Sequence, residues 1–451
     1  MTLRLSVCVL GLIFFTQSYA EEANLFHWAI SAGGDGNDKI RGIAAGPDNS
    51  IFVTGEISPG SKFGDYEMRS GDSLDFVVAR LNQQGEILWV TAAGEGKIDR
   101  GYGVSATADG GCYVTGHFQS DTIQFGSIVL ENAGNYDGFV ARFDRNGRCL
   151  WAKRFGGPGY DYGHGIATCP DGTAVLAGTI TNIGNIGDHQ TGIANGRSAI
   201  VAKISTDGEI LWSKAASGPS TSGHNIAAGN DGMIYLCGFV RGKVVWSDSI
   251  TTDNKVQDIC IAKYDTHGTL QWVQTGGGKS DGLATSVAVD STSGNILIAG
   301  MFKGTVSFGG KEYTSAGSHD FYTATLSPQG TFLHSHHGGG PGTDYALSAT
   351  SLPGGGFAVT GEISESGDFN GSTHVGAGAR DAYTATFNSD GSKVLSFRLF
   401  GGIDNDLSYA IAALEDASLV ISGAFRNETN FGPTHLKATK ANDIFITRLA
   451  H

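Results

Sequence analysis

The chain contains 451 residues, of which 69 are Gly and only 9 are Pro, while 40% are hydrophobic. Its formal net charge of −14 argues against nucleic acid and anionic membranes as partners, since both repel an acidic protein. Abundant Gly, little Pro and this apolar content are typical of a turn-rich all-β protein and exclude a disordered chain.

The first twenty residues have the pattern of a secretory signal peptide. Arg4 supplies the positive start, residues 5–15 form a short apolar run, and residues 18–20 form a small-x-small cleavage site. The run is too short to span a bilayer, and no later stretch reaches about 20 apolar residues, so we expect no membrane insertion. We therefore expect cleavage near Ala20 and an exported protein, secreted, periplasmic or on the cell surface, with one domain over residues 21–451.

An opening segment with Trp28 precedes the first repeat. That repeat contains four strands of high β-propensity, at residues 42–45, 50–55, 75–81 and 86–89. Tight turns join the first strand to the second and the third to the fourth. A longer polar loop with Phe63 and Gly64 joins the second strand to the third. This arrangement predicts an antiparallel meander.

The same features return about every 61 residues. A glycine closes the second strand, at Gly55, Gly116, Gly178, Gly238, Gly300, Gly361 and Gly423. An acid opens the third strand, at Asp75, Asp137, Asp258, Asp320, Asp381 and Asp443, with Ser198 in repeat 3. A large residue ends the fourth strand, at Trp89, Trp151, Trp212, Trp272, His334 and Leu395. This period indicates seven copies of one supersecondary unit.

The ends of the chain predict how the repeats are arranged. The seventh repeat stops after its third strand, residues 444–449, and its fourth strand would fall beyond His451. The opening segment, residues 25–32, carries Trp28 in phase with the later tryptophans, so it can supply that strand. The fold prediction is an all-β, seven-bladed β-propeller of four-stranded antiparallel blades, closed by the N-terminal strand completing the last blade.

The links between repeats are rich in glycine and carboxylates. They should lie on the face that carries the long loops, where binding groups usually sit. Calcium is the one cofactor that this pattern suggests, with candidate ligands Asp35, Asp38, Asp99, Asp161, Asp344, Asp404 and Asp406. The alternative is that each Asp caps a turn of its own repeat by accepting backbone N–H bonds. Recurrence in nearly every repeat favours this structural interpretation.

One position of the first strand differs from repeat to repeat although its neighbours do not. Two residues before the first-strand Ile or Val, the repeats carry Arg41, Tyr102, His164, His224, Thr285, Leu347 and Tyr409. We expect these side chains to crowd the mouth of the axial channel. Candidate binding residues, for a carboxylated sugar among other ligands, are Arg41, Tyr102, His164, His224 and Tyr409. Candidate acid–base catalysts are His164, His224, Tyr102 and Tyr409. Packing between blades is the alternative that we favour.

Two further groups of residues are candidate metal or redox sites. His334 and His336 share one strand face and could share a metal, but His334 takes a tryptophan position, which favours packing. Five cysteines follow the signal peptide and none forms a CxxC pair, so a zinc or iron–sulfur site has no support. Cys237 and Cys260 lie on neighbouring strands and could form a disulfide; the others should pack as small apolar residues.

Several stretches resemble one known family of repeats. The sequences "DNSIFVTGEI" (48–57), "DGFVARFDRNGRCLW" (137–151) and "GGPGYDYGHGIA" (156–167) are similar to the secreted bacterial β-propeller repeats called SBBP repeats. The resemblance covers essentially the whole mature chain, and repeat 3 departs most from it. It implies a propeller fold and an exported location, and it supplies no catalytic residues.

Two functions remain open at this stage. The one we favour is a non-enzymatic propeller, monomeric, that recognises an extracellular glycan, a surface component or a protein through its loop-rich face. The alternative is a polysaccharide lyase or glycoside hydrolase with its site at the channel mouth. There a cation would neutralise a uronate carboxylate while His or Tyr takes the proton.

Overall fold

The computed structural model describes residues 25–68, 73–276, 278 and 281–450. The predicted signal peptide and its cleavage site lie outside these residues. Within them the chain is all-β, with 34 strands and a single 3-10 turn at Pro47–Asn49. No helix in this part of the chain is long and apolar enough to cross a membrane.

The strands follow the seven sequence repeats. The opening strand is β1 (Phe26–Gly33). Repeat 1 contains β2 (Lys39–Ala45), β3 (Ile51–Ile57), β4 (Lys62–Phe63), β5 (Tyr66–Glu67), β6 (Asp75–Leu81) and β7 (Ile87–Ala93). Repeat 2 contains β8 (Asp99–Ala106), β9 (Cys112–Phe118), β10 (Thr122–Phe125), β11 (Ile128–Glu131), β12 (Asp137–Phe143) and β13 (Cys149–Gly156). Repeat 3 contains β14 (Tyr162–Thr168), β15 (Ala174–Ile186), β16 (His189–Ile204) and β17 (Ile210–Gly218). Repeat 4 contains β18 (Ser220–Ala228), β19 (Ile234–Val245), β20 (Thr251–Tyr264) and β21 (Leu270–Thr275). Repeat 5 contains β22 (Gly282–Val289), β23 (Ile296–Phe302), β24 (Thr305–Phe308), β25 (Lys311–Thr314), β26 (Asp320–Leu326) and β27 (Phe332–Gly339). Repeat 6 contains β28 (Tyr345–Ser351), β29 (Phe357–Phe369), β30 (Ser372–Phe387) and β31 (Val394–Phe400). Repeat 7 contains β32 (Asp406–Ala413), β33 (Leu419–Phe431) and β34 (Thr434–Leu449).

Each repeat forms one antiparallel meander. In repeat 1 the hydrogen-bonded order is β2-β3-β6-β7, and the other repeats pair their strands in the same way. Strands two and three are buried along most of their length, so both faces of each sheet contact neighbouring sheets. The predicted all-β class and four-stranded repeat are confirmed, and this meander is the sheet type of β-propellers.

The connection between the second and third strands is a hairpin, whereas the sequence predicted a polar loop. In repeat 2, β10 pairs with β11 across a turn that begins with Gly126 at φ 65°, and Phe125 before it is fully buried. The buried aromatic residue anchors the hairpin, and the glycine permits its left-handed turn. Hairpins also pair with the fourth strand of the preceding repeat. Ile186 in the hairpin of repeat 3, for example, lies opposite Phe155 of repeat 2, and such pairing links neighbouring meanders into larger sheets.

The opening strand pairs with the last strand of the chain. Antiparallel β1 lies beside β34 with Ala29 opposite Thr447 and Ser31 opposite Phe445. On its other edge β1 pairs with β4 of repeat 1, where Ala32 lies opposite Phe63. The predicted pairing of residues 25–32 with the third strand of the last repeat is confirmed, and it joins residues more than 400 positions apart in sequence.

First strands of consecutive repeats pack directly against one another. β2 contacts β8, and the contacts continue through β14, β18, β22, β28 and β32, which in turn contacts β2. A Cβ atom at Gly42 would lie 2.6 Å from the Tyr102 carbonyl oxygen, and one at Gly103 would lie 3.1 Å from that of His164. This close packing of the first strands explains their small residues.

Tryptophans at the fourth-strand position form hydrogen bonds to the next repeat. Their indole N–H groups donate to a carbonyl in the following repeat's turn between strands three and four: Trp28 to Gln83 (2.9 Å), Trp89 to Arg145 (3.0 Å), Trp151 to Thr206 (2.8 Å), Trp212 to Thr266 (3.1 Å) and Trp272 to Pro328 (3.3 Å). The ring lies against the glycine of that turn, as Trp28 does against Gly85. A third-strand cation often shares the carbonyl, as Arg80 does with Arg145. We call this contact the indole clamp.

The clamp is modified in repeats 5 and 6. His334 pairs with Thr325 and does occupy the tryptophan position of repeat 5. In repeat 6 the prediction of Leu395 is wrong by one residue, because Ser396 lies opposite Thr386 in the register that tryptophan takes elsewhere. Leu395 is 57% exposed. In the next sheet the third and fourth strands are β34 and β1, which are not consecutive in the chain and are not joined by a turn. The Ser396 position therefore has no turn carbonyl to which a side chain could donate.

Changes at Trp89 test the clamp. Trp89→Phe keeps an apolar ring and leaves the Arg145 carbonyl without its donor, which should lower the free energy of unfolding by about 1 kcal/mol. Trp89→Ala also removes a side chain that is only 9% exposed, and should cost about 3–5 kcal/mol. Leu88→Ala, at a neighbouring residue that is 44% exposed, is the control and should change stability by less than about 0.5 kcal/mol. Equal losses for all three in denaturant titrations would show that the indole has no special role.

Candidate functional site

The variable position of each first strand lies at a β-bulge. The pairing of the first and second strands shifts at that residue in every repeat, namely at Arg41, Tyr102, His164, His224, Thr285, Leu347 and Tyr409. A bulged residue is left out of the ladder and its side chain can be re-aimed. We call these seven the bulge residues.

The bulge also explains the glycine that closes every second strand. A Cβ atom at Gly55 or at Gly116 would lie 1.9 Å from the carbonyl oxygen of Lys39 or Arg100, respectively. These carbonyls belong to the residues two positions before the bulge. Since no side chain fits at that distance, the repeated glycine is required by the bulge itself.

The structure brings all five candidate binding residues into one continuous row. The Arg41 guanidinium lies 5.0 Å from the Tyr102 ring and 5.9 Å from that of Tyr409. The Tyr102 ring lies 5.6 Å from that of His164, which stacks on His224 at 4.8 Å with an interplanar angle of 7°. The sequence prediction that these residues meet is therefore correct in geometry.

Ion pairs surround the Arg41 end of the row. Arg41 donates through Nη2 to buried Glu56 at 2.7 Å, and the Nε of Arg100 lies 3.7 Å from the same carboxylate. Arg380 binds buried Glu362 at 2.8 Å, and burial raises the pKa of Glu362 to about 7. Lys39, 5.9 Å from the Tyr409 ring, forms no ion pair within the described residues. Its pKa is lowered by burial and then by Arg41.

The histidines at the other end are neutral at pH 7. Burial lowers the pKa of His224 to about 4 and that of His117 to about 3, and it holds the pKa of His164 well below its ordinary value. In the described part of the chain, the buried Nε2 of His164 and Nδ1 of His117 have no hydrogen-bond partner. His164 and His224 face each other and aromatic rings, which is a packing arrangement more than an acid–base pair.

The sequence analysis missed an aromatic extension of the row. His117 lies 5.0 Å from Tyr136 and 4.9 Å from Tyr162, and Tyr136 lies 5.3 Å from Tyr160, which is 47% exposed. We call the whole set the aromatic band: Tyr102, His117, Tyr136, Tyr160, Tyr162, His164, His224 and Phe239. A signal for His117 exists, because the residue after the second-strand glycine also varies, being Glu56 in repeat 1 and Glu362 in repeat 6.

A single cation lies beside the far end of the band. The Arg197 guanidinium is 5.9 Å from the Phe239 ring, and burial lowers the pKa of Arg197. Within the described residues Arg197 forms no ion pair. Arg197 precedes Ser198 and so takes, in repeat 3, the position that Tyr136 has before Asp137 in repeat 2.

Most of the predicted calcium ligands accept hydrogen bonds that cap turns. The link carboxylates accept backbone N–H bonds, with Asp38 accepting from Gly34, Asp99 from Gln119, Asp161 from Gly157, Asp344 from Gly340 and Asp406 from Gly402. Asp35 pairs with Lys440, and Asp404 accepts from the Asn427 amide. Across the described ranges, no group of three or more His, Cys, Asp or Glu side chains could hold a metal ion. Five of the seven aspartates thus cap turns, as the structural alternative expects, while Asp35 and Asp404 bond side chains instead.

The capping acids lie in carboxylate pairs. At Gly156 a Cβ atom would lie 2.6 Å from an oxygen of Asp161 and 2.7 Å from one of Asp137, the acid that opens the preceding third strand. Gly401 lies in the same way between Asp381 and Asp406. Burial raises the pKa of these carboxyl groups, backbone hydrogen bonds lower it, and the neighbouring carboxylate raises it. The pKa of Asp161 rises to about 6 and that of Asp406 to about 7.

His334, His336 and the cysteines form no metal or disulfide site within the described residues. His336 Nε2 bonds the Gly391 carbonyl at 2.8 Å, while His334 Nε2 lies 4.0 Å from Asp390, so the two rings do not share a metal. They line a cleft at the place where repeat 5 lacks its tryptophan. Five cysteines are free, so the bridge between Cys237 and Cys260 is absent. Burial raises the pKa of both thiols.

Comparisons with known proteins give distant likenesses. No protein-family model matches the chain. The uncharacterized WD repeat-containing protein L264 of Acanthamoeba polyphaga mimivirus is 23% identical over 362 residues, which cover 64% of this chain and 26% of that protein. The chain thus matches about a quarter of the length of that relative.

Solved structures with a similar course of the chain belong to several kinds of protein. The quinohemoprotein alcohol dehydrogenase of Comamonas testosteroni has a TM-score of 0.45 and 11% identity, covering 96% of this chain and 77% of that one. The Pan2 WD40 domain of Neurospora crassa has a TM-score of 0.42 and 8% identity, covering 93% and 98%. BamB of Moraxella catarrhalis has a TM-score of 0.37 and 11% identity, covering 95% and 90%. At these scores the likeness carries no argument about function.

The carboxylate pairs make a prediction about pH. Because the pKa of Asp406 is raised to about 7 in the folded protein, its carboxyl costs stability as the pH rises from about 4 through about 7. Asp406→Asn removes this cost, so the unfolding free energy of the variant minus that of the native protein should increase between pH 5 and pH 8. One pKa unit corresponds to 1.36 kcal/mol, which gives an increase on the order of 1–3 kcal/mol.

Asp416 provides a control of opposite sign. A hydrogen bond from the Ser418 hydroxyl lowers the pKa of Asp416, so its charged form stabilises the fold. Asp416→Asn should destabilise the protein at neutral pH, with a loss that shrinks as the pH falls below about 4. Denaturant titrations at four pH values measure both variants. A pH-independent difference for Asp406→Asn would refute the buried charge.

Proposed function

We propose that this chain is a seven-bladed β-propeller, closed by its opening strand, that works as an exported binding protein of the SBBP-repeat kind and not as an enzyme. The pairing of β1 with β34 and the contact between β32 and β2 support closure. Both join the first repeat to the last. A chain whose repeats form an open solenoid would leave these strands apart.

The indole clamp supports the same closure. Trp28 belongs to the opening strand, and its indole N–H donates to Gln83 in repeat 1 in the way that Trp89 donates from repeat 1 to repeat 2. Arg448 of the last strand also donates to the Gln83 carbonyl. The junction between the last repeat and the first is therefore built like the other junctions.

One observation carries the binding function: the candidate catalytic side chains are engaged with one another, while a neighbouring aromatic surface is open. Arg41 is held by Glu56, and His164 stacks on His224. Tyr160, by contrast, is 47% exposed on a link of the loop-rich face. Tyrosine combines a large rigid surface with a polar tip, which suits recognition of an extracellular glycan or protein.

Closure is tested at Trp28. Trp28→Ala should lower the melting temperature about as much as Trp89→Ala does, because each indole makes the same bond to the next repeat. The loss expected for a truncated, partly buried tryptophan is about 3 kcal/mol. A protein in which Trp28→Ala melts like the native chain while Trp89→Ala does not would exclude closure through the opening strand.

Binding is tested with glycan arrays and with immobilised proteins from the cell surface. The native chain should retain a ligand and leave it chemically unchanged. Tyr160→Ala should weaken that binding at least about tenfold, the cost of losing roughly 1.4 kcal/mol at an exposed contact. Tyr66→Ala, at a tyrosine that is 40% exposed on the repeat 1 hairpin, is the matched control and should bind normally.

The alternative enzyme has a distinct signature. Polysaccharide turnover that disappears in His164→Ala and His224→Ala, with melting unchanged, would favour a lyase or hydrolase and overturn the binding function. Mass spectrometry of the recovered glycan distinguishes the two outcomes, because only an enzyme shortens the chain.

A further inference from the structure

The surface around the bulge residues has a different charge balance from the protein as a whole. The chain carries a formal net charge of −14. The side chains grouped around the bulges nevertheless include five cations and two carboxylates: Lys39, Arg41, Arg100, Arg197 and Arg380 against Glu56 and Glu362. The adjacent link aspartates accept backbone N–H bonds and add negative charge beside this group. Cations that form no ion pair there can attract an anionic group.

Several of these polar groups lack partners inside the protein. Within the described residues, the buried Nε of Arg100, Nδ1 of His117 and Nε2 of His164 form no hydrogen bond. Lys39 and Arg197 form no ion pair there. Buried polar atoms in native proteins nearly always have a partner, so each of these three atoms requires a water molecule or another group that the protein does not supply. Three such atoms occur together, at the junction of repeats 1, 2 and 3.

The aromatic band supplies a second kind of contact beside these cations. Tyr160, Tyr136 and Tyr162 form a connected set of rings with centroid distances of 5.3 and 5.8 Å. It begins at exposed Tyr160 and leads to His117 and His164. Flat aromatic faces bind the apolar faces of sugar rings. The imidazoles of His117 and His164 pack against Tyr136 and Tyr162 and so hold these rings in place.

We propose that the bulge residues and the aromatic band form a binding site for an acidic oligosaccharide that contains uronic acid units. Arg100, Arg197 and Lys39 bind its carboxylates, and Tyr136 and Tyr160 stack on its rings. The buried imidazoles of His117 and His164 position the tyrosines of the band. This assignment rests on the proposed binding function and narrows its ligand. The ring surface favours a glycan over an acidic peptide, whose side chains would use the cations alone.

Calorimetric titration of the full chain tests the site with three hexamers. Hexagalacturonate should bind, while the neutral maltohexaose should bind at least about tenfold more weakly, because it lacks carboxylates. Hexaglutamate should also bind at least tenfold more weakly, because it lacks sugar rings. Raising the salt concentration from 50 to 500 mM should weaken hexagalacturonate binding, since salt screens partly exposed charges.

Matched variants identify the residues. Arg197→Gln and Tyr160→Ala should each weaken hexagalacturonate binding about tenfold or more, with melting unchanged. Arg398→Gln, at an exposed arginine of β31 away from the band, should bind like the native chain. His117→Ala should weaken binding of the glycan and leave the weak binding of hexaglutamate unchanged.

Each contrary result has a defined meaning. Equal affinity for the neutral hexamer, or normal binding by Arg197→Gln, would overturn the role of the cations and with it the uronate site. Tighter binding of hexaglutamate would replace the glycan by an acidic peptide. If hexagalacturonate does not bind but another ligand on the array still depends on Tyr160, the uronate assignment fails and the binding function stands. If nothing depends on Tyr160, both fail.

Discussion

The architecture depends on one contact, the bond between a fourth-strand indole and the turn of the following repeat. The indole reaches one carbonyl and covers one glycine of the next repeat, so each such junction has the same geometry. The contact also explains the exception at Ser396, because repeat 7 has no turn to receive an indole there. Packing of sheet on sheet then buries the second and third strands.

The bulge divides each first strand into a fixed part and a free part. The second-strand glycine and the small first-strand residues are set by close backbone contacts, so they recur in every repeat. The bulged side chain lies outside the ladder and carries no such restriction, which leaves one residue per repeat free to differ. Neighbouring repeats then combine these residues into a surface that no single repeat contains. Arg41, Tyr102 and His164 contact one another although each comes from a different repeat.

Periodic features of the fold could be predicted from the sequence, whereas the exact strand register and the hydrogen-bond partners of side chains could not. The meander and the pairing of the opening strand follow from spacing, and Trp28 revealed the second of these by its phase. Leu395 was misassigned because only the pairing register shows that Ser396 lies opposite Thr386. The link aspartates resembled calcium ligands because the sequence shows carboxylates but not the backbone N–H groups that they accept. The place of His117 in the site depends in part on the ring of Tyr162 from the next repeat, which no local pattern records.

The two termini of the described chain lie side by side, with the Ala450 amide donating to the Leu25 carbonyl at 2.7 Å. They occupy the place of a turn between strands three and four, and such turns are on the side opposite the links and hairpins. A tether attached before Leu25 or after Ala450 would therefore leave from the edge of the meander opposite the links and hairpins. Whichever terminus carried an anchor or a neighbouring module, exposed Tyr160 on its link would face away from the attachment.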